Sequence, residues 1–127
     1  MGYSELAEGV DVGAPLQASA RLDGTYSLNE VSNVNRSSTY LSGWVEGTSG
    51  QVNLNANFNT GKLWGQNQAD GFKVNGDING KTLGGFIRYN GVKADLEGQI
   101  GQDGIVAAFQ GTTETKIVVG GLVGSPR

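Results

Sequence analysis

The chain has 127 residues (13.2 kDa), 17% charged side chains, a net charge of −3 and a pI of about 4.8, with neither cysteine nor histidine. Its length suits one domain with a single modest core; the missing residue types exclude disulfides, thiolate metal sites, the commonest general base and the commonest haem or zinc ligand. The nine Lys and Arg are scattered, without the basic cluster that a nucleic-acid or anionic-membrane partner needs, and no apolar run approaches the ~20 residues of a membrane-spanning helix.

Residues 1–16 carry the weakest pattern: Ser4 to Glu8 suits one helical turn stopped by Gly9, and Gly13-Ala14-Pro15 reads as a turn or linker. No signal peptide is visible, and the Met1-Gly2 start leads us to expect an export signal or an upstream domain outside this sequence. Gln17 to Leu22 alternates weakly as a first strand that Asp23-Gly24 ends. The Asn- and Ser-rich stretch from Ser27 to Ser38 reads as a loop, at most with a short edge strand. Residues 1–38 are therefore taken as an extension, linker or first strand, and 39–127 as the main domain.

From Thr39 onwards the pattern sharpens. Thr39 to Glu46 is β-prone, with Gly43 suggesting a bulge, and Thr48-Ser49-Gly50 reads as a turn. In Gln51 to Phe58, Val52, Leu54, Ala56 and Phe58 share one face while polar residues, Asn53, Asn55 and Asn57 among them, take the other. A period of two fits a half-buried strand and gives a helix no apolar face. Asn59-Thr60-Gly61 turns into Lys62–Gln66, and Asp70-Gly71 into Phe72–Ile78. Asn79-Gly80 is the strongest hairpin signal, because both central residues of a type I′ turn need positive φ; Asn90-Gly91 is another. Strands at Leu83–Tyr89, Val92–Gln99, Ile105–Gln110 and Thr115–Val123 complete the chain.

The expected fold is all-β: an antiparallel up-and-down barrel of about eight strands with a weakly ordered N-terminal segment, a two-sheet sandwich being the competitor. Inward glycines such as Gly76 and Gly98 would relieve crowding where the wall bends. Chemistry finds little footing. Asp95 and Glu97 leave one strand face roughly 6.6 Å apart, a spacing that would suit a glycosidase pair, yet they oppose the face of Ala94 and Leu96 and so belong to a solvated outer wall. Asp77–Gly80 and Gly101–Gly104 lack the ligand series of a calcium loop. The glycines at 98, 101 and 104, and at 120, 121 and 124, precede no helix that would complete a phosphate site. No catalytic residue, cofactor or metal site is expected. Tyr40, Trp44, Trp64 and Tyr89 are the candidate partner contacts, because tryptophan and tyrosine carry large area with a polar handle; the competing reading is that they fill or cap the barrel.

Residues 39–127 resemble the β-barrel domain of the transferrin-binding protein B family, which includes the barrels of factor H-binding protein, the neisserial heparin-binding antigen and hemophilin-type proteins. The resemblance rests on Thr39-Tyr40-Leu41-Ser42-Gly43-Trp44 at the opening strand and on Asn57-Phe58-Asn59-Thr60-Gly61-Lys62-Leu63-Trp64-Gly65 at the next hairpin. It continues with Ala108-Phe109-Gln110-Gly111 and Gly120-Gly121-Leu122-Val123-Gly124 near the end. The penultimate loop departs from it, reading Gly111-Thr112-Thr113-Glu114-Thr115 where relatives often carry Gly-Pro/Lys-x-Ala-Glu-Glu. The resemblance implies a non-enzymatic protein on the surface of, or secreted by, a host-associated Gram-negative bacterium. It implies a host protein as partner, together with export machinery of the surface lipoprotein assembly modulator type, and no direct membrane span. A monomer is expected. The alternative reading is a carrier holding a small hydrophobic ligand inside the barrel.

Overall fold

The structure, a computed structural model, describes residues 19–32, 44–101 and 103–127, without the side chain of Trp44. Eight strands follow one another: β1 (Ser19–Ser32), β2 (Trp44–Asn57), β3 (Lys62–Asn67), β4 (Phe72–Asn79), β5 (Thr82–Tyr89), β6 (Val92–Gly101), β7 (Gly104–Thr112) and β8 (Lys116–Pro126). Each pairs antiparallel with the next, and β8 returns to β1, so the sheet is a closed up-and-down barrel with no free edge between first and last strands. The barrel is the expected one, and the sandwich is not formed.

The alternation read from Gln51–Phe58 now runs around the whole wall. Leu22, Tyr26, Leu28, Val52, Leu54, Leu63, Phe72, Val74, Ile87, Leu96, Ile100, Ile105, Phe109, Val118 and Leu122 all point inwards and are buried. Phe72 is fully buried, stacked on Tyr26 with ring centroids 3.8 Å apart and planes within 3°, and tilted against Phe109. The interior is a packed core.

The sequence expectations for two strands, β1 and β2, are corrected here. Asp23-Gly24 does not end a strand, and the stretch from Ser27 to Ser32 is no loop: β1 runs through both and pairs with β2 from Ser19↔Asn57 to Ser32↔Trp44. Nor is Thr48-Ser49-Gly50 a turn, since it lies inside β2. The glycines mislead for one physical reason. A Cβ on Gly24 would meet Leu54 Cδ1 at 2.9 Å, and one on Gly50 would meet the Tyr26 hydroxyl at 2.6 Å. Both are mid-strand glycines that make room for inward side chains. The expected readings of residues 1–16 and 33–43, Gly43 included, lie outside the described residues.

The hairpins show a third difference. The β4–β5 loop is Gly80-Lys81, because Asn79 pairs with Thr82; only Gly80 has positive φ there (64°), as a type II′ turn requires. The type I′ turn is at Asn90-Gly91, with φ of 50° and 81°. The β2–β3 and β3–β4 loops use one device twice. Asn57 Oδ1 accepts from the amides of Asn59 and Thr60, Asn67 Oδ1 accepts from those of Ala69 and Asp70, and each loop leaves through a left-handed glycine, Gly61 or Gly71.

Candidate functional site

With the interior filled, what the chain presents is its outer wall and its two ends. On the wall of β3–β6 the register sets residues in rows. Trp64, Asn75, Phe86 and Asp95 are mutual cross-strand partners, so they form a middle row at steps of about 4.8 Å. Trp64 is 47% exposed. Asn53, Asn55, Gln66, Lys73 and Asn75 surround it on one side, and a shallow groove between Trp64 and Phe86 is floored by Asn75 and Gly76 on the other.

Next to that row lie Lys73, Arg88 and Lys93, again in direct register. The sequence shows these cations as scattered, 15 and then five positions apart. Folding puts them side by side, which corrects the expectation that the basic residues form no cluster. Arg88 and Lys93 both rest on the Phe86 ring, at 5.2 and 4.5 Å from its centroid. Phe86 was missed as an outer aromatic. The available signal was the alternation of Gly84, Phe86 and Arg88 against Leu83, Gly85 and Ile87, blurred by the double glycine.

The opposite wall is different in kind. Between Thr25 and Asn29, Gly47 and Gln51, Val106 and Gln110, and Val119 and Val123 no charged side chain occurs. Val106, Val119 and Val123 are exposed there, around a shallow apolar depression at Gly121. Asp95 and Glu97 are exposed on the outer wall as expected, facing Phe86 and Gly84 on β5.

Of the four expected contact residues the structure describes the side chains of two, Trp64 and Tyr89, and these two lie apart. Trp64 is on the wall. Tyr89 lies at a barrel end, half-buried, tilted against Phe72 and with its hydroxyl 3.4 Å from Thr48 Oγ1. Tyr40 and the Trp44 side chain lie outside what is described.

The end that holds Tyr89 carries a polar network that the sequence did not announce. Glu30 is 2% exposed, and Asn90 Nδ2 donates to both of its oxygens (3.1 and 2.9 Å) while Ser32 Oγ donates at 3.3 Å. Lys116 Nζ donates to the Asn90 carbonyl at 2.9 Å. A buried carboxylate is costly unless hydrogen-bonded, so Asn90 serves both as turn former and as its main partner. Beside it the Tyr26 hydroxyl donates to Asp70, which also accepts from Asn67 Nδ2. Burial first, and then the bond and charge of Asp70, push the Tyr26 phenol above its ordinary range. The folded state therefore holds the proton more tightly than the unfolded chain. This stabilisation is complete below about pH 10 and is lost as the pH climbs beyond it. Tyr26→Phe keeps the stack on Phe72 and should cost about 1–2 kcal/mol at neutral pH. Unfolding curves from pH 8 to 11 should show a shallower alkaline loss in the variant; parallel curves would mean that another group governs it.

No family model matches the sequence, and no curated protein matches it significantly. Solved structures do share the fold. A protein described as a surface lipoprotein superposes with a TM-score of 0.62 at 14% identity, over 86% of this chain and 61% of that one. Transferrin binding protein B from serogroup B Neisseria meningitidis gives 0.62 at 12% identity, over 87% of this chain and 25% of that one. The haemoglobin receptor HpuA from Kingella denitrificans, also solved in complex with human haemoglobin, gives 0.53 at 16% identity, over 94% of this chain and 45% of that one. The barrel thus has the fold found in the transferrin-binding protein B type of surface protein. This chain spans less than two thirds of each of these structures.

Proposed function

We propose that this chain is a non-enzymatic barrel module that binds a host protein at the surface of a host-associated Gram-negative bacterium. In this reading the barrel also serves the surface export of the polypeptide that carries it, through a surface lipoprotein assembly modulator. The observation that carries the binding role is Trp64: a large aromatic held half-exposed on a rigid strand, ringed by amides and with a filled core behind it. Such residues dominate binding energy at protein interfaces. The fold shared with a transferrin binding protein and a haemoglobin receptor supports the same direction.

Human transferrin and haemoglobin are the first partners to test, by surface plasmon resonance on immobilised barrel. Trp64→Ala should weaken whichever interaction exists by about tenfold or more while leaving the thermal midpoint unchanged. Normal binding by a folded Trp64→Ala protein would remove Trp64 from the contact, and Trp44→Ala would then be the next variant to measure. The carrier alternative draws no support from the core, where Tyr26, Phe72, Phe109 and the aliphatic side chains occupy the inward positions.

A further inference from the structure

On the wall of β3–β6 three cations share one row, while Asp77 and Glu97 lie in another that also holds Lys62. Lys73, Arg88 and Lys93 lie on the side towards the Tyr89 end. Asp77 and Glu97 lie on the far side of the Trp64–Asn75–Phe86 row, flanking Gly84 in register. Among the described residues none of the three cations makes an ion pair, and Asp77 is held only by the exposed Lys62. Like charges placed opposite one another on adjacent strands repel, so this cationic row is relieved by an opposing surface of inverse pattern.

A second copy of the chain carries that pattern. Turning one wall by 180° about an axis running along its middle row brings each strand against its own counterpart in reverse. The cationic row of one copy then faces the acidic row of the other. In β4, Lys73 meets Asp77 of the second copy; in β6, Lys93 meets Glu97. In β5, Arg88 meets Gly84, where a Cβ would find nothing within 4 Å. The Arg88 guanidinium thus enters an open gap walled by two carboxylates. Trp64, Asn75 and Phe86 lie on the axis and face themselves, as an isologous interface requires. Turning about the strand direction instead would set cations on cations, so charge selects the antiparallel arrangement. Asp95 faces its own copy on β6, a repulsion that offsets part of the Lys93–Glu97 attraction on the same strand and is screened by solvent to the same degree.

We infer that the β3–β6 wall is a self-complementary surface through which two copies of this chain associate. This goes beyond host-protein capture and does not depend on it. Because a barrel wall is convex, contact centres on β4 and β5 and stays below the roughly 1,200 Å² of a stable complex, so the association is weak and transient.

Sedimentation velocity tests it with the protein alone, up to about 1 mM, a concentration at which a contact of this size is populated. The wild type should associate at low ionic strength and release at high salt. Lys73→Glu, Arg88→Glu and Lys93→Glu combined, and separately Asp77→Lys with Glu97→Lys, should each weaken self-association by roughly tenfold or more. An equimolar mixture of these two variants should associate again, because their rows are complementary. Circular dichroism confirms that both variants stay folded. A monomeric wild type at the highest concentration, association unaffected by the swaps, or a mixture that stays monomeric would each overturn the inference. Binding of a poly-glutamate peptide without self-association would also overturn it, and would assign the cationic row to an acidic partner of another kind.

Discussion

Gly98→Ala is expected to destabilise this barrel by at least about 3 kcal/mol, the upper end for overpacking. A Cβ at this inward position of β6 would fall on the Val106 carbonyl oxygen and 2.5 Å from both Cα and Cβ of Ala107. Most of these atoms are the backbone of β7, which pairs with β6 at this register and is held by β8 on its other side. No rotamer change can clear the collision, so the sheet itself would have to open. The matched control is Gly84→Ala on the outer wall, where the added carbon meets nothing within 4 Å. That variant should be neutral, or stabilising by up to about 1 kcal/mol through the lower entropy of its unfolded chain. Urea unfolding of the two proteins separates the cases. Equal midpoints would show that the wall accommodates bulk at Gly98, and that close strand approach does not shape the barrel there.

Phe72→Ala should cost about 3–5 kcal/mol, for a different reason. Phe72 is fully buried and joins three other rings, stacked on Tyr26 and tilted against Phe109 and Tyr89. Truncation removes the packing and leaves an apolar void that surrounding strands cannot collapse to fill. Such voids stay dry and admit small aromatic molecules. Benzene or indole should therefore raise the thermal midpoint of Phe72→Ala and leave that of the wild type unchanged. A wild-type protein stabilised equally by these probes would reveal an interior able to hold a ligand, and would revive the carrier reading.

Much of the architecture was legible because alternation reports directly on burial in a half-buried sheet. Val52, Leu54 and Ala56 were assigned inwards from one eight-residue segment, and the same period holds from β1 to β8. The misreadings fall at glycines. Gly24 and Gly50 carry the same local signal as Gly61 or Gly71, yet the first two lie mid-strand and the second two end turns. Local sequence cannot separate them, because what decides is whether Leu54 or Tyr26 occupies the space above the glycine, and those contacts come from the neighbouring strand. The candidate site was less legible than the fold. Trp64 stood out by residue type alone, whereas Phe86 and the Lys73–Arg88–Lys93 row became visible only through cross-strand register.

The sequence by itself determined an all-β chain of glycine-punctuated antiparallel strands, because side-chain alternation and turn chemistry are local and recur along the chain; that the sheet closes as a barrel and not a sandwich came from the tertiary structure. It also determined that histidine and thiolate chemistry are absent. The tertiary structure alone decided which glycines are corners and which are clearances, that Glu30 is buried beneath Asn90, and that charges far apart in sequence meet in opposed rows. Those properties depend on contacts between distant parts of the chain, 60 positions between Glu30 and Asn90, and no local pattern encodes a register that closes only when the eighth strand meets the first.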